Sequence, residues 1–528
     1  MKKIFFTTIA ILLLYFVANA QIAIDVKPYS FDQKNLDLLS ICKSNKLILP
    51  AIDVAKLEEE DMIDQQNEIP PRFGFPHKVK VNLLSHGTWI DLENGDRIWC
   101  MEIDCPSAKS INLLYDKFWL PPNATFHIYN INKSHLIGAF TEKNNKGTKE
   151  HPGKFGTGLV YGEKILLEYY EPKDVKGMGI ISISTVVQGY RYINILNSIE
   201  NMESYGGSGA CQVNINCSPE GDNWQDEKKS VAMILVNGNR WCSGSLINNV
   251  REDGIPYFLT ANHCLCGWAV SDTIDAISNP DASDWSFYWN YESPACTNGT
   301  NFVPPSTSGA VLVANNSNSD FALFRLTESP FEIYPSIQPY FSGWDRNTPG
   351  QGGVGIHHPA GDIKKISTHN ITPTYYGNFW RFYWTETLNG FSVTEGGSSG
   401  SPLYNNLHRI IGQLYGGSNV NCGNPASDLA IYGMFSVSWN GDNDPRRRLK
   451  DWLDPDNTNQ MSLNGTYCVS VKNVTNTSFS SDTLINGCSI YIENVNIQNN
   501  ANVIFDAAKT TTIYGPFQVN VGSTLEIR

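Results

Sequence analysis

Gly396-Gly397-Ser398-Ser399-Gly400-Ser401-Pro402 is the stretch on which the reading of this chain turns. Its glycines let backbone N–H groups approach an anion while a serine hydroxyl projects from the turn. Gly/Ser loops are common, so the stretch takes its meaning from its company. Upstream stands Leu259-Thr260-Ala261-Asn262-His263-Cys264, where a histidine closes an apolar run beside a cysteine able to pin it. Between the two lies Ser319-Asp320-Phe321-Ala322-Leu323-Phe324-Arg325-Leu326, an aspartate opening a β-patterned run. Taken singly, such a histidine is usually structural and such an aspartate a turn residue. Together they supply the base, the orienting acid and the nucleophile that acyl transfer needs.

Their order along the chain is His263, Asp320, Ser399, the chymotrypsin-type order. The α/β-hydrolase order runs Ser, acid, His, and its G-x-S-x-G elbow fails here because Ser401 takes the second glycine position. His357, His358, His369 and His408 lack comparable context. At these residues the sequence resembles the bacterial lysyl endopeptidases, members of the trypsin/chymotrypsin-like serine proteases. The resemblance spans about residues 206 to 456. It includes Tyr257-Phe258-Leu259-Thr260-Ala261, Tyr288-Trp289-Asn290-Tyr291, Gly343-Trp344-Asp345-Arg346, Ile356-His357-His358-Pro359 and Asp451-Trp452-Leu453-Asp454-Pro455.

The resemblance implies a double β-barrel with the active site in the cleft between barrels, Ser399 as nucleophile, His263 as general base and acid, and Asp320 as the group that fixes the imidazole tautomer. The N–H groups of Gly397 and Ser399 would form the oxyanion hole. Ser398 stands where trypsin-type enzymes carry the aspartate that receives the new N-terminus, so packing and disulfides should preorganise this loop. Family precedent pairs Cys211 with Cys422, Cys217 with Cys296 and Cys242 with Cys264. Cys266 competes for the last of these partners. Cys100 with Cys105 and Cys468 with Cys488 are natural local pairs, which leaves Cys42 and Cys266 unassigned.

The position six before the nucleophile, acidic in trypsin, is Val393. Ser427-Asp428 followed by Tyr432-Gly433 resembles the segment carrying the pocket aspartate of lysyl endopeptidases, so Asp428 would attract a cationic P1 side chain. Tyr415, Gly416 and Gly417 would supply the strand edge that pairs with substrate backbone. Lysine-selective members carry a histidine where Tyr415 stands. The mature start falls near Gly206, and because Tyr205 precedes it, cleavage uses Arg191 with later trimming or another protease. The expected function is a secreted serine endopeptidase cleaving after Lys or Arg. A non-catalytic adhesin on a protease-like scaffold is the competing class.

Working outward, Lys2 and Lys3, the apolar run Ile4 to Val17 and the pair Ala18 and Ala20 form a secretory signal over residues 1–20. The run is too short to span a bilayer, so no membrane span is expected after signal removal. Twelve cysteines in an exported chain read as disulfides, with no metal and no cofactor expected. The net charge of −13 and the lack of a basic tract exclude nucleic acid. The expected partners are protein or peptide substrates, the export machinery and the chain's own pro-region, and the expected state is a monomer, extracellular or at the cell surface.

Residues 21–72 read as a linker or loosely held arm ending in Glu58-Glu59-Glu60-Asp61 and Pro70-Pro71. Residues 73–205 alternate with period two between turn signals, as in Lys78 to Leu83, Arg97 to Ile103 and Lys164 to Tyr169, which suggests a β-sandwich pro-region. Residues 206–456 are the protease-like domain, closing on a helix at Arg446 to Leu453. Residues 465–528, rich in Asn, Thr, Val and Ile, suggest stacked short strands in a small solenoid, a secretion or surface module. The whole chain is thus expected to be mainly β.

Overall fold

The structure is a computed structural model describing residues 19–20, 26–32, 36–66, 69–191, 207–265, 274–298, 304–333, 338–417, 422, 427, 429–468 and 471–527. The signal run up to Ala18, Gly206, Cys266 and Asp428 lie outside the described residues.

A six-stranded closed barrel occupies the first half of the protease region. Its strands are β1 (Val231–Val236), β2 (Arg240–Leu246), β3 (Tyr257–Ala261), β4 (Asp281–Trp289), β5 (Ser306–Asn316) and β6 (Phe321–Leu326), closed in the order β1-β2-β3-β6-β5-β4. Nearly every residue of these strands is buried, because the inner face fills the barrel and neighbouring elements cover much of the outside.

The second half is a nine-stranded sheet. It is built from β7 (Gly343–Asp345), β8 (Gly353–His357), β9 (Lys365–His369), β10 (Thr374–Tyr376), β11 (Phe379–Tyr383), β12 (Pro402–Asn405), β13 (Arg409–Gly417), β14 (Leu429–Met434) and the short pair Ser462–Leu463. Its main path runs β9-β8-β12-β13-β14-β11-β10. The closing helix is one turn, Lys450–Leu453, preceded by a 3-10 turn at Pro445–Arg447.

Before the barrel, strands between Gly74 and Gly189 form two sheets whose facing side chains share one core. That core continues into the barrel through Met233, Leu235, Trp241 and Tyr288, so the two regions share one apolar core. The segment expected as a loose arm is folded. It forms helices at Leu36–Ser44 and Val54–Gln66, and the acidic run Glu58 to Asp61 lies on the second. Composition alone could not show this, because what orders the segment is contact with distant residues: Cys42, Leu49 and Leu57 are buried.

The cysteines also correct one expectation. Cys100 bonds Cys42 with a Cα–Cα distance of 5.2 Å, and Cys105 is a free, buried thiol. Cys100 and Cys105 are five apart on an extended run, which places them on opposite faces and roughly 16 Å apart, beyond the ~7 Å that a disulfide can bridge. Cys100 packs with Cys42, Tyr129 and Leu166, while Cys105 belongs to the main core. The other bridges join Cys211 to Cys422, Cys217 to Cys296, Cys242 to Cys264 and Cys468 to Cys488.

At the C-terminal end, Val471–Phe479, Thr483–Ile497, Asn502–Val519 and Thr524–Ile527 stack as parallel strands. Val474, Ile492 and Val503 lie in the core of this stack. No helix among the described residues is long and apolar enough to cross a membrane.

Candidate active site

Strand register brings His263 and Asp320 together. β3 and β6 are antiparallel neighbours with Ala261 opposite Phe321, so the residue just before β6 and the turn just after β3 share one end of the barrel. Asp320 Oδ2 lies 2.8 Å from His263 Nδ1, and Asp320 Oδ1 accepts the His263 backbone N–H at 2.9 Å. The Asp320 carbonyl accepts the Asn262 N–H at 3.0 Å. One carboxylate therefore fixes both the ring and the backbone of the histidine, and the proton on Nδ1 follows because an ionised carboxylate can only accept.

Asp320 sits at φ 55°, a left-handed conformation that Asp tolerates better than most side chains. The turn is wedged between the two halves of the fold. The Ser319 carbonyl accepts from Gln413 Nε2 at 2.7 Å, and a Cβ on Gly433 would meet that carbonyl at 1.8 Å.

Ser399 arrives from the second half, on the loop entering β12. Its carbonyl accepts the Ser243 N–H of β2 at 2.8 Å, and Cys264, next to His263, places its Sγ 3.9 Å from the same oxygen. Ser243 Oγ in turn donates to the Gly397 carbonyl at 2.9 Å. Two glycines make the approach possible. Gly397 has φ 96° with Trp241 against it, and a Cβ on Gly400 would meet Thr260 Oγ1 at 2.0 Å. The Cys242–Cys264 bridge clamps β2 to the His263 turn behind this loop.

Tyr415 packs edge-on to His263 with ring centroids 6.0 Å apart, and Phe379 packs on Tyr415 at 5.0 Å. Tyr415, Gly416 and Gly417 line the same cavity as Ser399, of about 340 Å³. Phe379 had no signal in the sequence, since β11 and β13 meet only through β14. Val393 is wholly buried in the apolar cluster of the second half. His357 and His358 are also wholly buried, His369 is buried with 1% exposure, and His408 pairs with Glu227.

Another part of that cavity wall comes from residues 61–72. Pro71 lies against Gly396, where an added Cβ would meet Pro71 Cγ at 2.8 Å. The Pro71 carbonyl accepts the Trp241 N–H at 3.2 Å, Phe73 N–H donates to the Asn239 carbonyl at 2.9 Å, and Arg72 pairs antiparallel with Arg240. Phe73 stacks on Trp241 with centroids 5.5 Å apart. Arg240 donates to the Pro70 carbonyl and pairs with Asp64 at 2.6 Å. Arg72, 3% exposed, pairs with Asp61 at 2.8 Å and Glu60 at 3.1 Å. Burial alone would lower the Arg72 pKa, but the neighbouring Tyr190 and Asp61 outweigh it and raise it. The strap has no signal in the sequence because the partners that tie it to the barrel, Asn239, Arg240 and Trp241, are more than 150 residues away.

Comparison with known proteins places these residues in context. Residues 205–433 match the lysyl endopeptidase C-terminal domain family. A lysyl endopeptidase of Pseudomonas aeruginosa is 25% identical over 398 residues, covering 69% of this chain and 80% of the relative. Among solved structures, a Glu endopeptidase shares 16% identity with a TM-score of 0.24, covering 46% of this chain and 94% of that one. The protease Anisep of Arthrobacter nicotinovorans shares 16% with a TM-score of 0.26, covering 39% and 90%.

Proposed function

We propose, from the match of residues 205–433 to the lysyl endopeptidase C-terminal domain family, that this chain is a secreted serine endopeptidase cleaving after Lys or Arg through His263, Asp320 and Ser399. The observation that carries the reading is the double grip of Asp320 on the His263 ring and backbone, beside the loop that bears Ser399.

The chemistry follows from proton bookkeeping. The Ser399 hydroxyl is a poor nucleophile until a base takes its proton, so Nε2 of His263 accepts that proton as Oγ bonds the substrate carbonyl carbon. The carbonyl oxygen becomes an anion facing the N–H groups of Gly397 and Ser399, each worth about 3–4 kcal/mol in comparable sites. Collapse breaks the C–N bond, and Nε2 returns its proton to the leaving amine. Water then repeats the sequence on the acyl-Ser399 ester, releasing the acid. Asp320 stays ionised and stabilises the imidazolium that forms twice per cycle.

Asp428 is the proposed partner for a cationic P1 side chain, with Tyr415 and Phe379 as an aromatic wall beside His263 and the Gly416–Gly417 edge for substrate backbone. Export, through residues 1–20, fits a chain with five disulfides among its described residues.

Residues 69–73 form an inhibitory strap in the precursor. Ser243 on β2 donates its N–H to the Ser399 carbonyl, and Trp241 and then Asn239 precede it in the chain. The strap meets Trp241 at Pro71 and Asn239 at Phe73, so it leaves Ser399 in the direction that the departing half of a substrate would take. Pro70 and Pro71 withhold the N–H groups a substrate would present there.

Digestion of a denatured protein mixture, with the new termini read by mass spectrometry, tests the activity. Cuts after Lys or Arg that vanish in Ser399→Ala support it; cuts unaffected by that substitution, or after other residues, overturn it.

A further inference from the structure

Glu395 to Ser399 is held by more than the bridge and the glycines. The Glu395 N–H donates to Ser398 Oγ at 3.2 Å, and Ser398 Oγ lies 2.7 Å from His357 Nδ1. His357 Nε2 lies 2.8 Å from Ser367 Oγ, which donates to Ser392 Oγ at 3.1 Å. Ser392 donates to Gln212 Oε1 at 2.6 Å, and Gln212 Nε2 donates to Glu395 Oε1 at 2.5 Å. The path has returned to the residue it left.

The ring has a single direction. Because the Ser367 proton is committed to Ser392, its oxygen accepts from His357, which puts the proton on Nε2 and leaves Nδ1 to accept the Ser398 hydroxyl. Every hydroxyl then donates once and accepts once, as buried polar groups require. His357, Ser367 and Ser398 are wholly buried. Burial, with Lys365 nearby, pushes the His357 pKa down to about 3, which agrees with the neutral imidazole that the hydrogen-bond directions require.

Three distant stretches meet in this ring: residues 209–212, His357 with Ser367, and residues 392–398. The first also donates the Gly209 N–H to Glu395 at 2.8 Å. Ser398 is fixed by its side chain and by its N–H, which donates to the Glu395 carbonyl at 2.9 Å. Its peptide planes are those that carry the Ser399 N–H and adjoin Gly397.

The geometry points to Ser398, His357 and Gln212 as positioning residues that hold the oxyanion-binding backbone in register through a closed hydrogen-bond ring that ends on the Glu395 carboxyl group. The inference rests on the reading of Ser399 as nucleophile. Where trypsin-type enzymes use an ion pair with a new N-terminus, this chain uses hydroxyls and an imidazole, tied by Gln212 to the segment that follows the maturation site.

The test compares parent, Ser398→Ala, Gln212→Leu and Ser392→Thr, each expressed as the full chain and normalised to active sites titrated with a fluorophosphonate. The expected result is a fall in kcat per titrated site of about 10- to 100-fold in the first two, below the ~10²–10³ of deleting a donor itself. KM should stay within about twofold, and affinity for a peptidyl aldehyde, whose adduct carries the oxyanion, should fall in step. Ser392→Thr keeps the hydroxyl and should stay near parental. The double variant Ser398→Ala with Gln212→Leu should cost no more than the larger single, because one break opens the ring. Parental kcat per titrated site in both single variants, or a loss confined to KM, overturns the ring. A parent that the titrant does not label at Ser399 overturns the proposed nucleophile, and the ring's role with it. If Ser398→Ala does not accumulate, Gln212→Leu, on the half-buried segment, carries the comparison alone.

Discussion

The Pro71 carbonyl and the Trp241 N–H are joined at 3.2 Å across 170 residues of sequence, and this bond sets residues 69–73 beside β2, which itself donates the Ser243 N–H to the Ser399 carbonyl. The ion pair Asp64–Arg240 holds the strap from outside at 2.6 Å. Asp64→Asn keeps the shape and removes the charge, so the uncleaved chain should hydrolyse a peptide with three residues beyond the scissile bond roughly tenfold faster, the equivalent of about 1.4 kcal/mol. A Lys ester with a small leaving group should be hydrolysed at an unchanged rate. Equal gains on both substrates would place the effect elsewhere than in the strap.

Ser399→Ala should lower kcat by roughly 10⁴ to 10⁶ with the fold retained. Asp320→Asn should cost about 10⁴, because an amide cannot enforce the Nδ1–H tautomer or stabilise the cation. Both are read by steady-state kinetics alongside near-UV circular dichroism. Retained activity in either removes that residue from the mechanism.

Cys42–Cys100 closes a loop with a sequence separation of 58. On the chain-entropy account its loss costs about 4 kcal/mol. Non-reducing peptide mapping should recover Cys42 linked to Cys100 and an alkylatable Cys105 after denaturation, and Cys42→Ser should lower the melting temperature sharply.

His408 stacks on Trp224 with centroids 4.2 Å apart and meets Glu227 at 3.1 Å. Its hydrogen bond to Glu227 raises its pKa above the usual histidine range. A raised folded-state pKa means stabilisation that is complete below the unfolded value of about 6.5 and disappears as pH rises through the folded value. His408→Gln should therefore reduce the melting temperature more at pH 5.5 than at pH 8.5. The side chain is 41% exposed, so the difference is small and shrinks with added salt.

Burial acts oppositely on His127 and His369, each pushed down to about 4, and on His135, pushed down to about 3. Depressed folded-state values mean stability that is present above about pH 6.5 and lost as pH falls toward 4, with a slope of about 1.4 kcal/mol per unit for each proton taken up on unfolding. His369 lies 4.5 Å from Phe382 and 6.3 Å from Trp384, ring centre to ring centre. His369→Phe should flatten the decline in melting temperature from pH 6.5 to 4, and an unchanged slope would mean that His369 does not titrate on unfolding.

Much of the candidate site was legible because its chemistry is written in local strings. An apolar run ending in His263, an aspartate opening the run at Phe321 and a Gly/Ser turn at Ser399 are each readable within ten residues. The β character was legible for the same reason, since alternation is a local property. What failed to read was cooperative. The segment 36–66 is mixed in sequence and carries an acidic stretch, yet it folds as helices anchored by Cys42 and Leu57. Cys105 looked like the neighbour of Cys100 in sequence and is on the opposite face in space.

The amino-acid order by itself determined which groups can exchange a proton, which loop can approach an anion and that the chain is built of strands, since side-chain type and short-range periodicity are properties of adjacent residues. Only tertiary structure decided that Ala261 stands opposite Phe321, that Pro71 lies on Trp241 and that Gln212 closes a ring with His357. Those pairings bring together residues tens to hundreds of positions apart, and they are selected by how whole sheets bury their faces against one another, a quantity that no short stretch of sequence contains.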